Sequence, residues 1–179
     1  MTFRSLEEIY SDRERVLSSI EETVRPLSDS QLAFRPSTEA WSVAEIVEHL
    51  AIVEPGMLKV VGLLIEKAVP QNGSSPEAFE VTLDDGIRTG ATGKFKTRPE
   101  AVPTGSVPVV ESLQTLGAIQ SGLRALRHRL AAVNVSSVKF THRALGDLTL
   151  GQWCAFIGAH EARHLGQIRT VISSAGFPQ

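Results

Sequence analysis

The sequence has little of what would mark a specialised class. A single cysteine, Cys154, stands among 179 residues, so no internal disulfide can form and a disulfide-stapled scaffold is excluded. Lysine and arginine form no run: 18 basic residues against 20 acidic ones leave a formal charge of −2 and no basic face for nucleic acid. Long apolar runs are missing too. The most apolar stretch, Met57 to Ile65, is interrupted by Lys59 and reaches about half the length of a spanning helix, so no membrane segment is expected. The opening MTFRSLEEIY carries acids where a signal peptide would have an apolar core. Together these absences predict one reduced, cytoplasmic domain over residues 1–179. The remaining composition, 42% hydrophobic and 21% charged, is that of an ordinary globular chain. Any chemistry must therefore lie in position, and the five histidines are the residues to place.

Helical period dominates the pattern. Leu6, Ile9, Tyr10, Arg13, Val16, Leu17, Ile20 and Val24 recur at three and four residues behind a Ser5/Glu8 capping signal, predicting a helix that ends near Arg25. Ser28 to Leu32 is long enough for one further turn. Ser42 with Glu45 opens a second stripe, Val43 to about Ala68, with Pro55 inside it and a kink expected after Ala51. Between Pro70 and Pro108 fall five prolines and five glycines without sustained period, predicting a lid, binding loop or interface element rather than core, or else a tolerated surface insertion. Period resumes from Leu113 to Val133. Val135 to Arg143 reads as a short extended segment, and Gly146 with Asp147 as a turn. Thr149 with Gln152 opens a last helix running to about Ser174. Four amphipathic segments without a convincing set of paired strands predict an all-α helical bundle.

On the last helix Trp153, Ile157, His160, His164, Ile168 and Val171 fall within an arc of roughly 80°. Two histidines one turn apart on an apolar face need a shared partner, either a metal ion or a hydrogen-bonded tie between helices. His160, Glu161 and His164 also satisfy H-E-x-x-H, the zinc-protease helix. However, the fifteen residues after His164 contain no His, Asp, Glu or Cys to complete such a site, and Arg163 places a charge inside it. A third ligand must come from upstream. His128 sits between Arg127 and Arg129, away from the apolar stripe, and reads as solvated. His142 is a second-layer residue, a substrate contact or a surface residue, the last being favoured. His49, at the edge of the second helix's apolar stripe, is best placed.

The stretch Trp41-Ser42-Val43-Ala44-Glu45-Ile46-Val47-Glu48-His49-Leu50, with His160-Glu161-Ala162-Arg163-His164-Leu165-Gly166-Gln167-Ile168 downstream, resembles the DinB-like superfamily of metalloenzymes, which includes the YfiT-like proteins. Leu145 to Trp153 resembles that family's entry to its last helix. The resemblance implies an up-down-down-up four-helix bundle with the long Pro/Gly-rich connection, residues 70–108, between the second and third helices. It also implies a homodimer and a divalent metal held by His49, His160 and His164. Zinc or nickel suits three imidazoles best, with iron or copper as alternatives. Activities known in the family add a low-molecular-weight thiol, bacillithiol or mycothiol, as co-substrate of an S-transferase or isomerase.

Three imidazoles leave positions open for water or substrate, so the expected reaction is attack on a small electrophile by a metal-activated thiol or water. Hydrolysis of a small amide or ester and a non-catalytic metal-binding bundle are the alternatives. Glu161 is a candidate general base, or, lying about 80–100° round the helix from the two histidines, it faces solvent or a partner helix. Glu45 could orient His49, although its place in a capping box favours a structural role. Gln167 could support the histidine face, and Arg163 meets either an acidic substrate group or, the favoured reading, a surface ion-pair partner. Cys154, Trp41 and Trp153 read as packing residues.

Overall fold

The computed structural model describes residues 1–71, 79–89 and 97–179. Four long helices form the body: α1 (Leu6–Val24), α3 (Val43–Lys67), α5 (Val109–Ala125) and α7 (Leu150–Ile172). The short helices are α2 (Asp29–Ala33), α4 (Asp85–Thr89) and α6 (Arg127–Ala131), with a 3₁₀ turn at Pro99–Ala101. Strand β1 (Thr2–Phe3) pairs antiparallel with β2 (Val81–Thr82), and β3 (Lys139–His142) with β4 (Gly146–Thr149).

Helix directions follow from which ends share a core. One apolar cluster gathers Ile9 and Tyr10 from the start of α1, Leu64 and Ile65 from the end of α3, Leu123 from the end of α5 and Trp153 from the start of α7. The second gathers Ile20 and Val24, Val43 and Val47, Leu113, and Ile168 and Val171, the opposite ends of the same helices. Helices α1 and α7 therefore run together, α3 and α5 run against them, and the order is up-down-down-up.

Helix starts obey local chemistry. The side chains of Ser28, Ser42 and Thr149 each accept a bond from the backbone three residues on, and Gln31, Glu45 and Gln152 return it. At Ser5 only half of this forms, because Glu8 instead accepts from the Arg4 backbone at 2.6 Å. Helix α3 passes through Pro55 as one element, not two. Pro55 lies on its exposed side, where water can serve the carbonyl deprived of its partner. The helical run from Leu113 breaks at Leu126, which closes α5 with a bond to Leu123 O and opens α6. The turn expected at Gly146 and Asp147 lies earlier: His142 pairs with Gly146, so residues 143–145 turn and Gly146 already begins β4.

Between the two apolar clusters lies a charged layer that sequence reading left undetected. Arg13, fully buried, donates to Glu54 at 3.0 Å, Glu161 at 2.8 Å, the Leu116 carbonyl at 3.3 Å and Gln120 at 2.5 Å. All four bundle helices are tied there, α5 through two residues. Gly158 makes it possible, since a Cβ at that position would stand 3.2 Å from Arg13 Cβ and 3.3 Å from its Cα. Among the described residues no helix is long and apolar enough to cross a membrane.

Candidate metal centre

Because α3 and α7 are adjacent and antiparallel, the first half of α3 meets the second half of α7. His49 comes from the former; on α7, His160 stands at the middle and His164 in the second half. One ring nitrogen of each lies within 4.8 Å of the others. Ring centroids are 4.5 Å apart for His160 and His164, 4.9 Å for His49 and His164, and 5.7 Å for His49 and His160.

Two of the rings are locked from behind. His49 Nδ1–H donates to the Ala101 carbonyl at 2.7 Å, and His164 Nδ1–H to Gln167 Oε1 at 2.7 Å. Both bonds fix the tautomer that leaves Nε2 as a lone pair, the usual arrangement behind a ligating histidine. His164 Nε2 and His160 Nε2 approach to 3.1 Å, and His160 Nδ1 is buried with no partner among the described residues. Burial holds His49 below its ordinary pKa against the opposing Ala101 bond, and burial with the charge of His49 pushes His164 down to about 3. His160 is held well below its ordinary value by burial and then by His164 and His49. The cluster is thus three imidazoles that burial holds toward the neutral form, with Nε2 of His49 and of His164 left as lone pairs beside the His160 ring, a donor set that fits a divalent cation.

The Ala101 carbonyl is itself held in place by α3. Glu48, next to His49, accepts from Thr104 N at 3.0 Å, Thr104 Oγ1 at 2.7 Å and Gly105 N at 2.7 Å. Burial raises the Glu48 carboxyl, but these bonds outweigh it and leave its pKa lowered. Gly105, at φ +72°, supplies the left-handed residue this strap needs. Thr97, Arg98 and Ala101 of the long connection line the cavity beside the histidines, and Glu48 ties Thr104 and Gly105 to α3. The rest of the lid-or-interface expectation falls on 72–78 and 90–96, outside the described residues.

Other candidates divide. Glu161 is corrected: its carboxylate is buried on Arg13 in the bundle centre and does not line the cavity beside the histidines, so it is not a base for that site. Glu45 takes the capping role favoured from sequence and not the alternative of orienting His49: it accepts from Ser42 N and pairs with Arg35, while His49 is held by Ala101. Gln167 sits on His164, where a supporting residue was expected. His142 is half-buried against Phe156 and Trp153, with ring centroids 4.9 and 5.6 Å away, and lines the cavity, unlike the surface residue favoured from sequence. Arg163 also lines the cavity. His128 is exposed on α6, and Cys154 is fully buried, its thiol pushed up to about 12 by burial. Glu48 carried no signal in sequence: at about 100° per residue it falls opposite the apolar stripe of α3, where a solvated carboxylate is expected.

The three histidines open onto a cavity of about 1160 Å³. Its apolar wall includes Trp41, Met57, Phe140, Trp153 and Phe156, and Trp153 Nε1–H donates to the Phe140 carbonyl at 3.0 Å, tying the β3–β4 hairpin to α7.

An up-down-down-up four-helix bundle with a three-histidine cluster between its second and fourth helices is the class that fold and site define. The chain belongs to the DinB superfamily, whose model matches residues 13–168. It is 27% identical over 148 residues to the "Uncharacterized protein YuaE" of Bacillus subtilis, covering 83% of this chain and 87% of that one. It is 22% identical over 174 residues to the "Putative metal-dependent hydrolase OB0413" of Oceanobacillus iheyensis, covering 97% and 89%. Its fold is similar to that of YfiT from Bacillus subtilis, described as "a probable metal-dependent hydrolase with an unusual four-helix bundle topology", with a TM-score of 0.64 at 16% identity over 96% of this chain and 88% of that one.

Proposed function

We propose that this protein is a metal-dependent enzyme of hydrolase type that holds a divalent cation through His49, His160 and His164 and acts on a small molecule taken into the adjoining cavity. The observation that carries this reading is the convergence of three neutral imidazoles, two with their rear nitrogens already satisfied, on one point of the cavity wall. When bound, a cation with three imidazole ligands keeps positions open and lowers the pKa of a coordinated water or thiol, supplying a nucleophile at neutral pH. The chain's own residues prepare the place. Ala101 and Gln167 orient two rings, Glu48 holds the segment that carries Ala101, and aromatic side chains line the cavity beside the histidines. The names of two relatives favour hydrolysis over S-transfer. Cys154, buried and protonated, is not the thiol of a transfer reaction.

The test begins with elemental analysis of purified protein, where a stoichiometric divalent ion is expected and His49→Ala with His160→Ala abolishes it. Unchanged metal content in that double variant removes the proposal. A panel of small esters and amides is then assayed with and without bacillithiol, mycothiol or glutathione. Hydrolysis without thiol is the expected result. Thiol transfer would replace the hydrolase reading, and tight metal with neither reaction would point to a non-catalytic binding bundle.

A further inference from the structure

The charged side chains of the cavity are not a sample of the chain. Acids outnumber bases overall, 20 to 18, yet among the described residues the cavity wall carries Arg98, Arg143 and Arg163 against one acid, Glu39, which lies on the α2–α3 connection. Two of those arginines sit at one end. Arg143 is in the hairpin turn immediately after His142, and Arg98 is close enough for its charge, added to burial, to hold His142 below its ordinary pKa. Arg98 pairs at 3.3 Å with Glu100, but both side chains are more than half exposed, so a ligand can compete for the guanidinium. Arg143 has no ion pair among the described residues.

His142 adds a donor of fixed direction. Its Nδ1 accepts from the Ala144 backbone N–H at 3.2 Å, which places the proton of the neutral ring on Nε2. The hairpin end of the cavity thus presents N–H donors and positive charge. The histidine end presents lone pairs. Phe156 lies between the two, its ring centroid 4.9 Å from His142 and 5.8 Å from His160, so an aromatic surface spans the distance.

We propose that the substrate is an anionic small molecule with an aromatic or branched apolar body, its carboxylate bound at the hairpin end by Arg98, Arg143 and His142 Nε2–H and its reactive group placed at the three histidines. The second half rests on the metal-dependent reading above. The first half does not. Arginine suits this task because its planar fork can donate two bonds to one carboxylate, which a neutral amide cannot reciprocate.

The test is binding of 3-phenylpropionate and of its neutral isostere 3-phenylpropionamide, measured by calorimetry at low salt on the protein as purified and again after chelation of metal. The carboxylate is expected to bind about tenfold tighter than the amide in both preparations, which corresponds to roughly 1.4 kcal/mol. In Arg98→Gln/Arg143→Gln the preference should fall to about twofold with helical content and metal content unchanged. A preference that disappears on chelation alone would assign the carboxylate to the metal and overturn the proposal. So would a preference that survives in the double variant, or equal affinity for acid and amide, or no binding of either. A purified protein devoid of metal that still prefers the carboxylate through Arg98 and Arg143 would sink the metal reading and leave this one standing.

Discussion

Arg13→Met is the perturbation that most directly tests the charged layer of the bundle. Arg13, Glu54 and Glu161 are all fully buried, with Arg13 the cation shared by the two carboxyls. Burial raises Glu161 to about 7 against the pull of Arg13. Burial also raises Glu54 well above its ordinary value, with the charge of Glu161 adding to the rise. The stable arrangement is one proton on the pair, one carboxylate on Arg13, and no net charge. Methionine keeps most of the volume and removes the cation, leaving two buried acids with only each other for a polar partner. The expected loss is about 3–5 kcal/mol, the usual consequence of breaking a buried pair from one side. For a domain of this size that lowers Tm by roughly 6–20 °C. The sign of the pH dependence follows from the raised carboxyl values: their stabilisation is fully present below the unfolded pKa and is lost as pH rises through the folded one. Without Arg13 both acids fold protonated, so the variant takes up more protons on folding than wild type does. Between pH 8 and pH 6 its deficit should shrink by roughly 1–2 kcal/mol. Urea unfolding followed by circular dichroism across that range measures both quantities. Arg13→Met/Glu54→Leu/Glu161→Leu should recover most of the loss, because apolar residues of similar volume replace buried ions at little cost. A deficit below about 1 kcal/mol, or one independent of pH, would mean that the carboxyls reach water and refute the account. Metal content of Arg13→Met should equal that of wild type, since Glu161 belongs to this layer and not to the histidine site.

Three further outcomes follow. Glu48→Ala releases Thr104 and Gly105 and so loosens the Ala101 carbonyl behind His49; divalent-metal affinity, measured by competition with a chromophoric chelator, should fall about 10–100-fold, and an unchanged affinity would remove Glu48 from the support of the site. In chelated protein His164 should remain neutral in imidazole NMR spectra to near pH 4, because burial takes its pKa to about 3. A histidine depressed in the folded state contributes stability above its unfolded pKa and loses it as pH falls, so the stability advantage of wild type over His164→Asn should narrow by about 2 kcal/mol between pH 7 and pH 5. Gly158→Ala places a methyl 3.2 Å from Arg13 Cβ and 3.3 Å from its Cα, separating α1 from α7, with an expected loss of about 1–3 kcal/mol by thermal unfolding.

Sequence alone disclosed what rests on period and local capping. The four bundle helices, their starts at Ser5, Ser42 and Thr149, and the paired positions of His160 and His164 are all consequences of three- and four-residue spacing. The convergence of His49 on that pair required more, because no local signal states that α3 and α7 lie side by side; the resemblance supplied it. What stayed hidden was long-range polar pairing. Arg13 was visible as a charge within an apolar stripe, but its partners Glu54 and Glu161 are 41 and 148 residues away. For Glu161 the spacing left two readings open, a base beside the histidines or a contact to solvent or a partner helix, and only the fold shows that it turns inward to Arg13 of α1. Glu48 falls opposite the apolar stripe of α3 and reads as solvated, and its partners Thr104 and Gly105 lie in a connection with no period to read. The 143–145 turn was misplaced because Gly146 reads equally as turn or as the first residue after one.

The long connection between α3 and α5 can be explained from the topology. Since α3 and α5 run in the same direction, the chain must return along the whole bundle before α5 begins. Helix α5 has 17 residues, about 26 Å, which about eight extended residues could cover. Residues 68–108 far exceed that, and the described part of the surplus is spent on contacts: β2 completes a sheet with β1, and residues 97–108 lie against α3. The return path necessarily ends at the level where α3 starts, which is where His49 faces α7. A segment forced past the histidines by topology is thus available to place a carbonyl behind one of them, and Glu48 is the residue that fixes it there. Shortening the connection while keeping the bundle would therefore preserve four helices and lose the orientation of His49.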